Sequence, residues 1–389
     1  MAHGRMGLGV AFLLALAGTA SAQPGALFPP GAPAPSPASE LRSIAGTVDD
    51  HGAMKDLTPH GFGDIVPHDK HGKHGGGHGE GGHGGGHAEP GEFMTPFIPH
   101  HGGWYAEGEF LLMRPRNTDL DFVIRDADAG VSTNGPIGIN KYGQGTGLRA
   151  EFGYRWGEGK WESAFAYTYV NAGGDTSFFA NNGGQLLPTL TRPGLTDRAL
   201  TATANVDLDY SLFDALVARR VLVDEHFGVR FIGGVRFSDI RQVQNAFYDG
   251  NDARRASVNT RSRFTGAGPI AGLESVLVGP MGFHFYSRGS IALLTGNSRN
   301  GLIETNDGGQ TPYINTTYDL RKVVPMTAIA IGAGWQYRSI AIRGGYEITH
   351  MQGVFERPRF TDDVSAGKVI TRPSNLSLEG FFFQMSFGF

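Results

Sequence analysis

From Trp104 to the last residues, apolar and polar side chains alternate with the period of two at which a β-strand presents its two faces. Leu148, Ala150, Phe152, Tyr154 and Trp156 fall on one face, and Arg149, Glu151 and Arg155 on the other. After Gly157-Glu158-Gly159-Lys160 the chain returns with Trp161, Ser163, Phe165, Tyr167 and Tyr169 against Glu162, Ala164, Ala166 and Thr168. That is a hairpin with one apolar wall and one polar wall. Val229, Phe231, Val235 and Phe237 likewise oppose Arg230 and Arg236, and Phe283, Phe285, Ile291 and Leu293 oppose His284 and Arg288. Ile340, Ile342, Tyr346 and Ile348 oppose Arg343 and Glu347. The pattern predicts strands near 103–114, 146–156, 161–171, 200–220, 227–242, 259–277, 282–296, 322–337, 340–353 and 374–389, about ten in all. A further strand at Asp121 to Arg125, or division of 200–220, would keep the number within roughly eight to twelve.

Connection lengths alternate as well. Gly157 to Lys160, Val221 to His226, Val278 to Met281 and Arg338 to Ser339 are short, whereas 115–145, 172–199, 243–258, 297–321 and 354–373 read as long polar loops. Short turns at one end and long loops at the other are the plan of an antiparallel up-and-down transmembrane β-barrel. A soluble sandwich also gives half-buried alternation, but not readily this many long strands with their charges kept to one face.

The last strand places Phe381, Phe383, Met385, Phe387 and Phe389 in one row, with Gln384 and Ser386 on the other side. Such a row needs lipid or a core to cover it. A terminal aromatic strand is also the usual closing strand of bacterial outer-membrane barrels, where the barrel assembly machinery reads it as a signal. It should close the wall against the strand that begins near Trp104.

Nothing in the chain approaches the ~18 apolar residues of a membrane helix, so spanning falls to strands. Met1 to Ala22 has the parts of a secretory signal: Arg5, the apolar run Leu8 to Ala17, and Ala20-Ser21-Ala22 before Gln23. The expected organisation is a signal segment at 1–22, a periplasmic low-complexity extension at 23–101 and an outer-membrane barrel at 102–389. The extension is Pro/Ala-rich and then Gly/His-rich, without an apolar period that could offset the entropy of ordering it. Its His68, His71, His74, His78, His83 and His87, spaced by glycine, read either as a free soluble linker or as a site for Zn, Ni or Cu.

Composition narrows the chemistry. The chain has no Cys, which removes thiolate catalysis, disulfides and thiol metal sites. A net charge of −4 and the lack of a polybasic stretch exclude nucleic acid as a partner. No G-x-S-x-G, H-E-x-x-H or phosphate-loop motif occurs. His284 is the one plausible inward imidazole, and Ser290, six residues along the same strand, lies too far away to be activated by it. No enzyme activity and no resident cofactor are expected.

Function is expected on the inward face, where Glu107, Glu109, Arg149, Glu151, Arg155, Glu162, Arg230, Arg236, Glu274, His284, Arg288, Arg343 and Glu347 are candidate pore-lining residues. Asp207 and Asp209 are assigned to the same face as the polar phase of their strand. Either these charges form separated walls whose field selects small solutes, or they pair and plug the lumen. Eight strands leave an interior that side chains just fill, so about ten allow a narrow pore at most.

Several segments together resemble the Legionella-type major outer-membrane protein family of pore-forming β-barrels. They are Ala106 to Arg116 with Leu120 to Ile124, Val229 to Ile240 with Phe247-Tyr248-Asp249-Gly250, Phe264 to Glu274, Ser287 to Leu294 and the closing strand. At Ile270 the family often carries a basic residue, which is absent here, and the His-rich extension lies outside the resemblance. The resemblance implies an outer-membrane pore without a defined solute. The expected function is passive diffusion of small solutes or ions; a closed structural or surface-interaction barrel is the alternative. Expected partners are outer-membrane lipid and lipopolysaccharide, the assembly machinery and, as an open possibility, further copies of the chain.

Overall fold

A computed structural model describes residues 103–128, 132–156, 160–223, 226–337, 340–365 and 367–388. The expected signal segment, extension, histidine tract and Phe389 lie outside these residues. Among the described residues thirteen strands are present: β1 Gly103–Asn117, β2 Asp121–Asp126, β3 Ile137–Ile139, β4 Gly145–Trp156, β5 Trp161–Phe179, β6 Gln185–Pro188, β7 Thr201–Leu222, β8 Phe227–Gly250, β9 Ala253–Val278, β10 Phe283–Asn306, β11 Thr311–Tyr337, β12 Ile340–Phe360 and β13 Val369–Gly388. Ten of them form a closed antiparallel barrel in the order β1-β13-β12-β11-β10-β9-β8-β7-β5-β4, with β4 returning to β1. The closing strand seals the ring as expected, Phe383 lying opposite Phe110 and Phe387 opposite Ala106.

The outer face carries the apolar phase near the short turns. On β10 it runs from Phe283 through Phe285 and Ile291 to Leu293, all exposed, which matches the ~9–11 residues a tilted strand needs to cross hydrocarbon. Trp104, Trp156, Trp161 and Trp335 all stand exposed at the turn end. Trp104 stacks on Phe152 at 5.0 Å and Trp335 on Tyr337 at 5.8 Å, as in an interfacial aromatic belt. Inside, Tyr105 lies over Gly153, where a Cβ would meet its ring at 2.5 Å. The glycine is the space that the tyrosine occupies.

Three of the predicted long loops, 243–258, 297–321 and 354–373, are instead mostly strand. β9 and β11 run for 26 and 27 residues, well beyond the length that lipid requires. β8 and β9 are joined only through Asn251-Asp252, with Gly250 and Asn251 at φ of 92° and 55°, the positive values of a tight hairpin turn. These segments read as loops because their outward residues are polar; facing water, such residues are compatible with an unbroken ladder.

The faces exchange character along these extensions. On β7, Val206, Leu208 and Leu212 are buried inside while Asp207 and Asp209 point outward, so both aspartates lie on the face opposite to the one expected. No register shift occurs along β7 against β5 or β8. The strand passes from a level with lipid outside and charge inside to one with water outside and an apolar interior. Val206, Leu208, Ile240, Phe264, Leu294 and Val324 belong to that inner apolar core.

Asp121–Asp126 is a strand, as considered, but it belongs to a separate sheet ordered β3-β2-β6. Phe122, Val123 and Leu186 of this sheet are fully buried in one cluster with Ala202 and Ala204 of β7, Ala246 of β8 and Ala256 of β9. Alanines on the inner wall leave the room that the inserted sheet fills. Tyr248 donates to the Phe122 carbonyl at 2.6 Å, fastening this cap inside the loop end of the barrel.

Candidate functional site

All thirteen candidate lining residues lie on the inward phase of their strands, and they converge in layers. Nearest the turns, Glu162 receives Arg155 at 3.8 Å, Arg220 at 3.1 Å and the Arg230 Nε–H. Arg230 also donates to Glu151 at 3.2 Å and Glu274 at 3.1 Å. Arg343 donates to Glu274 at 3.1 Å and to His284 Nε2 at 3.2 Å, a bond that needs this nitrogen free of hydrogen. Tyr105 donates to Glu151 at 2.8 Å, and Gln384 donates to Glu107.

The next layer joins Arg149 to Glu109 at 2.6 Å and, through two bonds of 2.8 and 2.9 Å, to Glu347. Arg288 donates to the same Glu347 at 2.7 Å and approaches Glu109 at 3.6 Å. Beyond it, Arg236 holds Asp214 in a fork of 2.6 and 2.7 Å. Apolar side chains are interleaved with these layers, Phe382 turning inward against Tyr286 at 5.9 Å, and they form a continuous core above this pair.

Two properties of these layers matter chemically. First, arginines and carboxylates are interleaved throughout: four arginines with three glutamates and with Glu107, which Gln384 holds, then two with two, and one with one aspartate. Second, the guanidinium groups reach across the interior. Arg149 on β4 meets Glu347 three strands away round the ring, Arg343 on β12 meets Glu274 three strands away, and Arg288 meets Glu109 four strands away. In a ring of ten, four places is nearly a diameter. The paired carboxylates are accordingly enclosed, with Glu162 at 1% and Glu109 and Glu347 at 4% side-chain exposure.

Sequence reasoning missed Asp214, Arg220, Tyr105 and Phe382 as interior groups. Asp214 was hidden because it takes the apolar phase of its strand, between Leu212 and Leu216; its signal was Arg236, directly opposite on β8. It also missed the clamp on the cap. Arg357 donates to Asp119 and Asp121 at 2.8 Å each and to the Asp121 carbonyl at 3.1 Å, while Arg359 reaches the same carboxylates at 2.9 and 2.7 Å. Burial pushes the Asp121 carboxyl up, but Arg357 and Arg359 outweigh it and hold this group below the usual carboxylate range.

Glu304, well beyond the lipid-facing belt, is fully buried and accepts the Arg192 backbone N–H at 2.9 Å with one oxygen, the other having no bonded partner. Burial raises its carboxyl to about 7. An acid with a raised folded pKa binds more protons folded than unfolded, so stability should fall as pH rises from about 4.5 to about 7 and level off above. Glu304→Gln should abolish that slope and stabilise the loop end at pH 8 by on the order of 1–3 kcal/mol. Limited proteolysis of the 180–200 loop across this pH range measures it; a slope that survives the substitution refutes the assignment.

Residues 97–389 match the family described as Legionella pneumophila major outer membrane protein precursor. Comparison with curated proteins finds no match. Among solved structures, the chain is similar to the outer membrane protease OmpT from Escherichia coli, at 12% identity and a TM-score of 0.44, over 74% of this chain and 97% of that one. A Pseudomonas aeruginosa FadL homologue matches at 8% identity and a TM-score of 0.21, over 74% and 89%. The transport unit of the autotransporter AIDA-I from Escherichia coli matches at 10% and 0.25, over 74% and 90%.

Proposed function

Since the chain belongs to the outer-membrane protein family of the Legionella pneumophila major outer membrane protein, we propose that it is an outer-membrane barrel whose lumen is sealed at rest and whose working surface is its loop end. The observation that carries this reading is the interleaved set of arginine–carboxylate layers reaching across the interior, backed by an apolar core and an inserted sheet. Outer-membrane barrels keep short turns in the periplasm and longer connections outside. The strand extensions and the β3-β2-β6 cap then stand above the outer leaflet.

Passive diffusion, the function expected from the sequence, requires the layers to part. Neutral interleaved pairs give no separated walls of charge to select an ion, and each buried carboxylate released from its arginine carries a desolvation cost of several kcal/mol. Catalysis finds equally little support, because His284 is engaged by Arg343 and the interior carboxylates are held in pairs or hydrogen bonds. The barrel works without a resident cofactor in this reading. The assembly machinery is the partner that takes up the aromatic closing strand.

Planar-bilayer recording of the folded, heat-modifiable full chain tests the proposal. The expected result is no steady ohmic conductance above the lipid background. Reproducible unitary steps from wild-type protein would overturn the sealed lumen and restore passive diffusion.

A further inference from the structure

Above the lipid-facing belt, the outer wall carries a row of basic residues that the lumen and the cap do not use. Arg241 of β8 lies directly opposite Arg263 of β9, and Arg263 directly opposite Arg299 of β10. Arg321 of β11 sits one row nearer the lipid, opposite Asn297. All four are exposed. Like charges directly opposite on one face of a sheet repel, so three in a row call for an anion. The acidic residues around them only partly meet that need. Asp239 takes Arg263 in a fork of 2.6 and 2.8 Å, Asp319 takes Arg299 at 3.2 Å, and Asp209, at the edge of the row, bonds instead to Asn171 at 2.9 Å. Arg241 and Arg321 have no carboxylate within ion-pair distance among the described residues.

The row stands at a particular height. On β8 the last lipid-facing side chain, Phe237, is followed on the same face by Asp239 and then Arg241; on β11, Val323 is followed by Arg321. Directly beneath lies an open recess of about 720 Å³, floored by Phe213, Phe237 and Ala267 and edged by Thr265, Asn297 and Arg321. Apolar below and cationic above, two residues apart on β11 and four on β8 with Asp239 between, is the boundary between acyl chain and headgroup.

We propose that this face binds a phosphorylated, multiply acylated glycolipid of the outer leaflet, its phosphates on Arg241, Arg263, Arg299 and Arg321 and one acyl chain in the recess. Guanidinium forks match phosphate oxygens in geometry as well as charge. The proposal rests on the outer-membrane placement and is independent of whether the lumen conducts.

The test is native mass spectrometry of the folded full chain in detergent with three probes. These are diphosphoryl lipid A, the same lipid with its phosphates removed, and inorganic phosphate. Diphosphoryl lipid A should be retained at least about tenfold more tightly than the dephosphorylated lipid, and inorganic phosphate should not compete at millimolar concentration. Removing a guanidinium near an anionic headgroup should weaken binding about fivefold, so Arg241→Gln, Arg263→Gln and Arg299→Gln together should weaken it about a hundredfold. Should the triple variant fail to fold, Arg241→Gln and Arg321→Gln singly decide the matter at about fivefold each. Equal retention of the two lipids would leave only an acyl groove and overturn the proposal. Displacement by inorganic phosphate would make it an adventitious anion site. A wild-type dimer that the arginine substitutions dissociate, with lipid binding unchanged, would make a second copy the occupant.

Discussion

Arg230→Met is expected to destabilise the barrel by about 3–5 kcal/mol, because it strips one guanidinium from three interior glutamates at once, two of them buried. Glu151, Glu162 and Glu274 all take hydrogen bonds from Arg230, and Arg220 and Arg343 can replace it for only part of that set. The urea midpoint for loss of the fast-migrating, unheated band on gel electrophoresis measures the change. The Arg236–Asp214 pair supplies the control for mechanism. Arg236→Met alone should be costly, but Arg236→Met with Asp214→Leu should return close to wild type, since replacing both partners of a buried pair with apolar groups removes the desolvation cost along with the attraction. A double variant as unstable as the single would show that the pair contributes more than its burial costs.

Arg357→Met should release the cap while leaving the barrel wall intact. The substitution leaves Asp119, at 3% side-chain exposure, and Asp121 with Arg359 as their main close cation, for a loss of about 3 kcal/mol confined to the loop end. Proteolysis within 118–144 and 180–200 should accelerate by about a hundredfold at pH 7, and the heat-modifiable band should persist. The pH dependence has a sign. A carboxylate whose folded pKa is depressed contributes stability above its unfolded pKa and loses it as pH falls through the folded value, so acid below about pH 4 should loosen the wild-type cap. The variant should show a weaker dependence, sustained by Arg359 alone. Unchanged cleavage would mean that the apolar contacts of Phe122, Val123 and Leu186 hold the sheet without the clamp.

These predictions differ in how much of their basis could be read from the chain. Arg155 and Glu162 flank one short turn and lie directly opposite one another, so their proximity follows from the hairpin alone. Arg230 also lies opposite Glu274, but across the β8–β9 hairpin, and that register follows only once 243–258 is known to be strand and a tight turn instead of a long loop. Arg149 and Glu347 are 198 residues apart and meet only because β13 joins β1 and closes the ring. Asp119 and Arg357, 238 residues apart, meet only because the first long connection folds back into the barrel.

The sequence by itself determined the lipid-facing parts of the strands, their antiparallel order, a number of about ten and the apolar phase near the turns. Period-two alternation between short connections permits little else, and lipid tolerates only apolar side chains on that face. What only the tertiary structure decided was which face is inside once the strands leave the membrane, and whether the interior is open. Alternation has the same period whether the polar residues face a lumen or bulk water, which is why Asp207 and Asp209 read as inward and stand outward. The interior is filled by chords between strands far apart in the chain, and their lengths follow from ring closure and side-chain reach, neither of which a local pattern contains.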